Sequence, residues 1–387
     1  MGSGEQKRLR VAVLLSSGEQ FSPFFGGALA RWTFEVYRRL QEQVEVRVFG
    51  YPTSAADRYA LPHESSAVSK ACGVMAKIPP LRRYEEELWL RALLGRLRVF
   101  PVIHVHNRPQ WVGVLRRLGY RGGIVLHLQN DHLGHWTGAM LEELAPRVDR
   151  VVVCSGYLRD TFAGRSEALA GKTRVVWNGV DTDVFSPREA ARENQTIFFV
   201  GRFDAEKGVV ELVRAFALVL GELPEAKLVI GGATGFGTHQ ETAYVQEVRR
   251  EAAVLESLHP GAVRFAGYIH HDHDLPGYFQ RATVFTSPSL FQEPFGLVNA
   301  EAMACGTVVV GSGRGGIPEV LGDAGVLVDP EDTQEYARAL SGLLREPGRR
   351  TELGRLSLIR AREMFDWRIV AEDWGKLLSE VAGAATT

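Results

Sequence analysis

Residues 287–316 read SPSLFQEPFGLVNAEAMACGTVVVGSGRGG, and the pattern of this stretch decides the fold. An apolar run at 283–285 leads into Ser287-Pro288-Ser289, a turn-rich segment follows at 291–296, and a helical pattern covers 297–305. Gly306 predicts the helix end, and 307–310 reads as the next buried strand. Strand, glycine-bearing loop, helix and strand make a βαβ unit. The backbone N–H groups of Phe295, Gly296 and Leu297 are expected at the helix N-terminus, where a phosphate is favoured. Glu293 precedes that terminus and Glu301 follows it. About two helical turns separate them, so both carboxylates can face one cleft at different depths. Carboxylates accept paired hydrogen bonds from vicinal hydroxyls, and the pattern therefore points to a phosphorylated, polyhydroxylated ligand.

Upstream, residues 196–200 (TIFFV) read as a strand that opens into GRFDAEKG at 201–208, followed by a helix from 209 to 220. Arg202 and Lys207 are two cations at a strand end, suited to clamping a diphosphate. A strand at 227–232 ends in Gly231-Gly232, and another with its turn covers 263–269. Downstream, 311–316 is a glycine-rich turn, 326–330 the last strand and 332–344 a helix. Two helices complete the chain at 349–364 and 367–381. The cluster His271-Asp272-His273-Asp274 reads as a solvated loop.

These residues carry a resemblance. Glu293 through Glu301 resembles the E-x7-E motif of retaining family-4 (group 1) glycosyltransferases, and residues 201–208 resemble the same family's G-R-x4-K-G motif. Residues 178–185 (NGVDTDVF) resemble its N-G-V-D-x3-F connector, which sets aside a metal reading of the Asp181-Thr182-Asp183 triplet. The resemblance implies the GT-B architecture: an α/β chain of two Rossmann-like, doubly wound domains facing a cleft. It implies an N-terminal acceptor domain at 1–185, a C-terminal donor domain at 186–365, and a final helix, 366–387, that crosses back to the first domain. The implied donor is a nucleotide-diphosphate sugar, used without a metal or other cofactor. Arg202 and Lys207 would neutralise the diphosphate, Glu293 would hold the donor sugar and Glu301 the ribose. Gly232 falls at the family's G-x-G position, and Tyr268 and Ile269 fall where backbone meets the base.

The N-terminal half reads as strands at 9–16, 44–51, 101–107, 122–130, 149–155 and 173–177. Gly26 and Gly27 stand between the first strand and a helix ending at Leu40, where glycine lets backbone approach a ligand. His106 and His127 are expected at carboxyl strand ends, the side on which open α/β sheets bind ligands. The resemblance places His127 near the reacting sugar and makes His106 a less specific H-x-H strand end. The candidate acceptor contacts are His106 together with Asn130, His132 and Trp136, the last three in a segment that departs from the family pattern. Asp131, His132 and His135 fit no common zinc spacing, and no metal ligand is assigned. Residues 52–70 show no period and read as loop. Residues 81–99 form a basic amphipathic helix, a pattern compatible with an anionic membrane surface. Packing on the sheet is the stronger reading, and Glu85, Glu86 and Glu87 argue against a membrane face.

Composition narrows the class. The chain has 387 residues, 45% hydrophobic and 24% charged, with Lys+Arg 45 against Asp+Glu 46. A net charge of -1 supplies no global field for nucleic acid. Cys72, Cys154 and Cys305 are scattered and read as reduced thiols of a cytoplasmic protein. The reading from sequence is a retaining glycosyltransferase acting on an acceptor hydroxyl of a glycan, glycolipid or small molecule. The alternatives are a non-catalytic sugar-nucleotide-binding or structural protein on the same fold, and a GT-B-type sugar-nucleotide epimerase.

Overall fold

The computed structural model describes residues 8–15, 19–23, 27–65, 79–188, 193–232 and 242–384. The chain divides into two compact units, one of residues 1–178 with 367–387 and one of residues 179–366. The sequence reading set its boundaries at 185 and 365. The first structural boundary falls earlier, after 178, and the second one residue later, after 366, because the connector's hydrogen bonds stay in the second unit: Val180 N–H donates to Phe365 O at 2.6 Å, and Thr182 Oγ1 pairs with Asp366.

The first unit contains a sheet of seven strands among the described residues: β1 (Leu9–Leu14), β2 (Val44–Phe49), β3 (His63–Glu64), β4 (Val102–His106), β5 (Gly123–Leu128), β6 (Arg150–Val153) and β7 (Thr173–Val175). Their order is β3-β2-β1-β4-β5-β6-β7, with every pair parallel. Near-continuous apolar runs such as LRVAVL and GIVLHL suit strands buried on both faces. One face is covered by the helices Ala28–Arg39 and Trp367–Ala384, which bury Trp32, Val36, Tyr37, Trp374, Leu377 and Leu378 against the sheet. β3 lies in the stretch read as loop; two residues at a sheet edge leave no periodicity to detect. In the helix Pro79–Leu97, Trp89, Leu90, Leu93 and Leu97 are fully buried, while Arg91 pairs with Glu87 at 2.7 Å. The apolar stripe is thus taken up by packing within the chain.

The second unit has a six-strand sheet among the described residues: β8 (Thr196–Val200), β9 (Lys227–Gly231), β10 (Val263–Gly267), β11 (Val284–Ser287), β12 (Val308–Ser312) and β13 (Val326–Val328). The order β10-β9-β8-β11-β12-β13 is parallel throughout and doubly wound, so strand order reverses between β8 and β11. A core cluster joins Ile197, Phe199, Leu228 and Val310 to the helices Val209–Glu222 and Thr333–Arg345. Among the described residues no helix is long and apolar enough to cross a membrane.

Candidate functional site

A doubly wound sheet opens a crevice where its strand order reverses, beyond the carboxyl ends of the two central strands. In the second unit those strands are β8 and β11, and the loops that follow them carry Arg202, Lys207 and Glu293. Gly208 turns the β8 loop into the helix Val209–Glu222 at φ +67, and a Cβ there would stand 2.0 Å from the Pro288 carbonyl oxygen. Only glycine allows the two loops so close. Leu290 N–H donates to Glu206 O at 2.8 Å and Ser289 Oγ to the same oxygen at 3.2 Å, closing the contact.

Lys207 Nζ donates to Glu293 Oε2 at 2.5 Å, with about a fifth of each side chain exposed. Gly316 N–H donates to Glu293 O at 2.7 Å, and Gly315 N–H to Gln292 Oε1 at 2.7 Å, so the loop bearing Glu293 is held from both sides. Arg202 is more exposed, at 56%, and lies 3.3 Å from Asp204. It remains within reach of solvent and of an anion at the β8 loop.

The helix Leu297–Ala304 starts at Gly296, an N-cap in the left-handed region with no side chain capping it. Phe295 is buried with its ring edge-on to Phe365 at 5.4 Å, which anchors the helix start. One turn on, Glu301 is 5% exposed at its side chain. His271 Nε2 donates to Glu301 Oε1 at 2.6 Å, whereas Glu301 Oε2 is buried with no hydrogen-bond partner among the described residues. A buried carboxylate oxygen left unpaired is costly, and a ligand hydroxyl would satisfy it. Here the structure corrects the reading of residues 271–274 as a solvated loop for His271 alone; Asp272, His273 and Asp274 lie in an exposed turn as expected. His271 belongs to the site, and its partner lies 30 residues away in sequence.

The remaining donor-side candidates are distributed around β9 and β10. Gly232 N–H donates to Gly267 O at 2.8 Å. Ile269 is buried over Gly231, and Tyr268 is exposed. Both line a cavity of about 330 Å³ with Tyr278 and Arg281. Gly27, in the first unit, does not present its amide: the N–H donates to Glu19 Oε1 at 2.8 Å. Gly26 lies outside the described residues.

The first unit departs from expectation at its histidines. His106 and His127 do not project beyond the strand ends; both are fully buried against Trp32, and His127 also against Trp374. His106 ends β4 and His127 is the next-to-last residue of β5, but strand alternation points both onto the sheet face covered by the helices Ala28–Arg39 and Trp367–Ala384. The residues at the carboxyl edge are instead Asn107 and Gln129, which the sequence reading placed at polar strand ends without assigning either a site role. Asn107 adopts φ +47, and its Oδ1 accepts from Gln129 N–H at 2.7 Å. Gln129 Nε2 is buried without a partner among the described residues. An Asn directly after an apolar strand, with its known tolerance of positive φ, was the available signal.

Of the acceptor candidates, Asn130 is exposed and His132 and Trp136 are half-buried on one tight loop. His132 N–H donates to Asn130 O at 2.9 Å, and Trp136 N–H to Leu133 O at 3.0 Å. Burial, then the Arg108 charge, holds the His132 imidazole below its usual range. Asp131 is engaged in the loop itself, accepting from Gly134 N–H at 2.6 Å.

Comparison with known proteins agrees with this arrangement. The family profile described as "Glycosyl transferases group 1" matches residues 181–357, and that described as "Glycosyltransferase Family 4" matches residues 25–184. Spore coat protein SA of Bacillus subtilis is 28% identical over 94% of this chain and 98% of its own length. Alpha-maltose-1-phosphate synthase of Mycolicibacterium smegmatis is 32% identical over 64% of this chain and 68% of its own length. Sucrose-phosphate synthase of Thermosynechococcus elongatus shares the fold with a TM-score of 0.76 at 23% identity, over 97% of this chain and 100% of that one. Anabaena HepE in complex with UDP and glucose gives 0.73 at 19% identity, over 96% and 100%. By its two profile matches, its relatives and its pair of parallel α/β units of GT-B type, the chain belongs to the group 1, family 4 glycosyltransferases.

Proposed function

We propose that the chain is a retaining hexosyltransferase that moves a sugar from a nucleotide-diphosphate sugar to an acceptor hydroxyl without a metal ion. The observation that carries this reading is the Lys207–Glu293 pair where the strand order of the second sheet reverses, with the half-paired carboxylate of Glu301 one helix turn further on. Lys207 has three donors, so it can hold Glu293 and a phosphate oxygen together. Arg202 and the helix start at Gly296 and Leu297 add positive potential at the same loops. Together they stabilise the diphosphate as it leaves, the task a divalent cation performs elsewhere.

In the proposed step the acceptor oxygen bonds to the anomeric carbon on the face from which the diphosphate departs. The bond from that carbon to the phosphate oxygen breaks, and the acceptor proton passes to the leaving oxygen. Glu293 orients the donor sugar's hydroxyls and Glu301 accepts from the ribose. Tyr268, Ile269 and Gly232 face the base end. Asn130, His132 and Trp136 are assigned to the acceptor. The enclosed positions of His106 and His127 withdraw them from sugar contact in this conformation. UDP is the first nucleotide to test, because HepE was solved with UDP and glucose.

The test is a screen of the full chain with UDP-, GDP- and ADP-sugars, reading thermal shift and release of free sugar with no added divalent ion. One nucleotide should stabilise the protein and support slow sugar release that Glu293→Ala abolishes. Spore coat protein SA, matched over nearly its full length, favours a second reading, a structural protein that binds sugar nucleotide without turnover. Stabilisation with no sugar released to water or to any hydroxyl acceptor would select that reading. No shift with any nucleotide would end both.

A further inference from the structure

Three imidazoles lie together on the sheet face covered by the helices Ala28–Arg39 and Trp367–Ala384. His104 and His106 alternate along β4 and so share one face, and His127 on β5 is the register partner of His106. Their ring centroids are separated by 4.0 Å (His104–His106), 5.0 Å (His106–His127) and 5.4 Å (His104–His127). All three are fully buried, under the rings of Trp32 and Trp374, 4.4 and 5.1 Å from that of His127.

Hydrogen bonding sorts the ring nitrogens into two sets. His104 Nδ1 is 3.1 Å from Tyr37 Oη, and His106 Nε2 is 3.0 Å from Thr33 Oγ1. The opposite nitrogens, His104 Nε2 and His106 Nδ1, have no partner among the described residues, nor has either nitrogen of His127. Buried polar atoms are rarely left so in a native interior. One nitrogen tied to a hydroxyl while the other stands free is the arrangement of metal-ligating histidines, whose second nitrogen is fixed by an outer partner.

One ligand atom from each ring lies within 4.8 Å of the others. Ligands on a tetrahedral zinc with bonds of about 2.0 Å are roughly 3.3 Å apart, so modest inward rotations would close the set. We propose that His104, His106 and His127 form a buried three-imidazole site for a first-row transition-metal ion, zinc in particular, within the N-terminal unit. Three neutral nitrogens without thiolate or carboxylate favour zinc and its neighbours over magnesium or calcium. A fourth position is left for water. The site would cross-link β4 and β5 beneath the covering helices, and it is independent of the transfer reading, which is carried by Lys207, Glu293 and Glu301 in the other unit.

The experiment uses the full chain, unfolded in denaturant with chelator, then refolded with and without zinc because the site is closed in the folded state. Metal content by mass spectrometry should show one zinc per chain, retained through gel filtration, and cobalt refolded in its place should give visible d–d absorption. His127→Gln should abolish both. Thr33→Val, which removes only the outer hydroxyl, should weaken zinc binding about 10- to 100-fold. Should either variant fail to fold, imidazole nitrogen shifts of the wild-type chain decide: coordination moves three rings together on zinc addition. Absence of stoichiometric zinc after refolding, unmoved imidazole signals, or full zinc binding in folded His127→Gln would overturn the site and leave the cluster a buried, water-filled polar network.

Discussion

His271 Nε2 donates to Glu301 Oε1 across 2.6 Å, while Asp272 Oδ1 stands 2.8 Å from Nδ1 of the same ring. The imidazole thus holds one oxygen of a buried carboxylate and leaves the other unpaired. We predict that His271 positions Glu301 for the ribose. His271→Phe should raise the donor KM about tenfold, the value of one charged hydrogen bond of about 1.4 kcal/mol, with kcat little changed. His271→Gln keeps a donor and should recover much of the loss. A donor lacking both ribose hydroxyls should be indifferent to the substitution; equal sensitivity would show that the ring acts elsewhere.

Lys207 and Glu293 pair where the donor diphosphate is proposed to leave. Lys207→Met should lower kcat/KM by about 10²- to 10³-fold, the size seen when a transition-state donor is removed. The stability cost should be small, about 1 kcal/mol, because the pair is partly solvated. Steady-state kinetics beside a thermal melt separates the two effects. A large fall in Tm with an unchanged rate per folded molecule would reassign the pair to structure alone.

Gly208 holds the β8 and β11 loops together at φ +67. Gly208→Ala places a methyl group against the Pro288 carbonyl and imposes a left-handed conformation on alanine. We expect a loss of at least about 2 kcal/mol, or roughly 4–8 °C in Tm for a unit of this size. Nucleotide binding should weaken with it, since both loops must shift. An unchanged Tm would show that the loops separate freely.

Acid should weaken the first unit partly through His63. Its ring stacks on Phe21, and burial, reinforced by the Arg58 charge and opposed by Glu64, pushes its pKa down to about 4. The folded state therefore refuses a proton that the unfolded chain accepts near pH 6.5. This contribution to stability is complete above about 6.5 and declines as pH falls toward 4. His63→Gln should flatten the dependence of Tm on pH across that interval. A variant with the wild-type slope would place the acid sensitivity in other histidines.

Much of the donor half was legible along the chain because its chemistry is local. The strand at 196–200, its loop with Arg202 and Lys207, and the helix after Gly296 are each encoded within a short window. Apolar runs and glycine positions report the local backbone there. His271 was misjudged because four polar residues in a row look solvated, and nothing in a window around them shows a carboxylate 30 positions away.

The sequence by itself determined the two parallel α/β units, the turn chemistry of the loops and the residue types able to meet a diphosphate and sugar hydroxyls. Periodicity and local sterics act over a few residues, and they are written in order. Only the tertiary structure decided which of those groups meet. Lys207 reaches Glu293 across 86 residues because β8 and β11 are neighbours in the sheet. His106 and His127 are enclosed because Trp374, far along the chain, returns with Trp32 to cover the sheet face onto which strand alternation turns them. Strand order and the return of the last helix are set by which buried surfaces fit best across the whole chain, and no local window contains that choice.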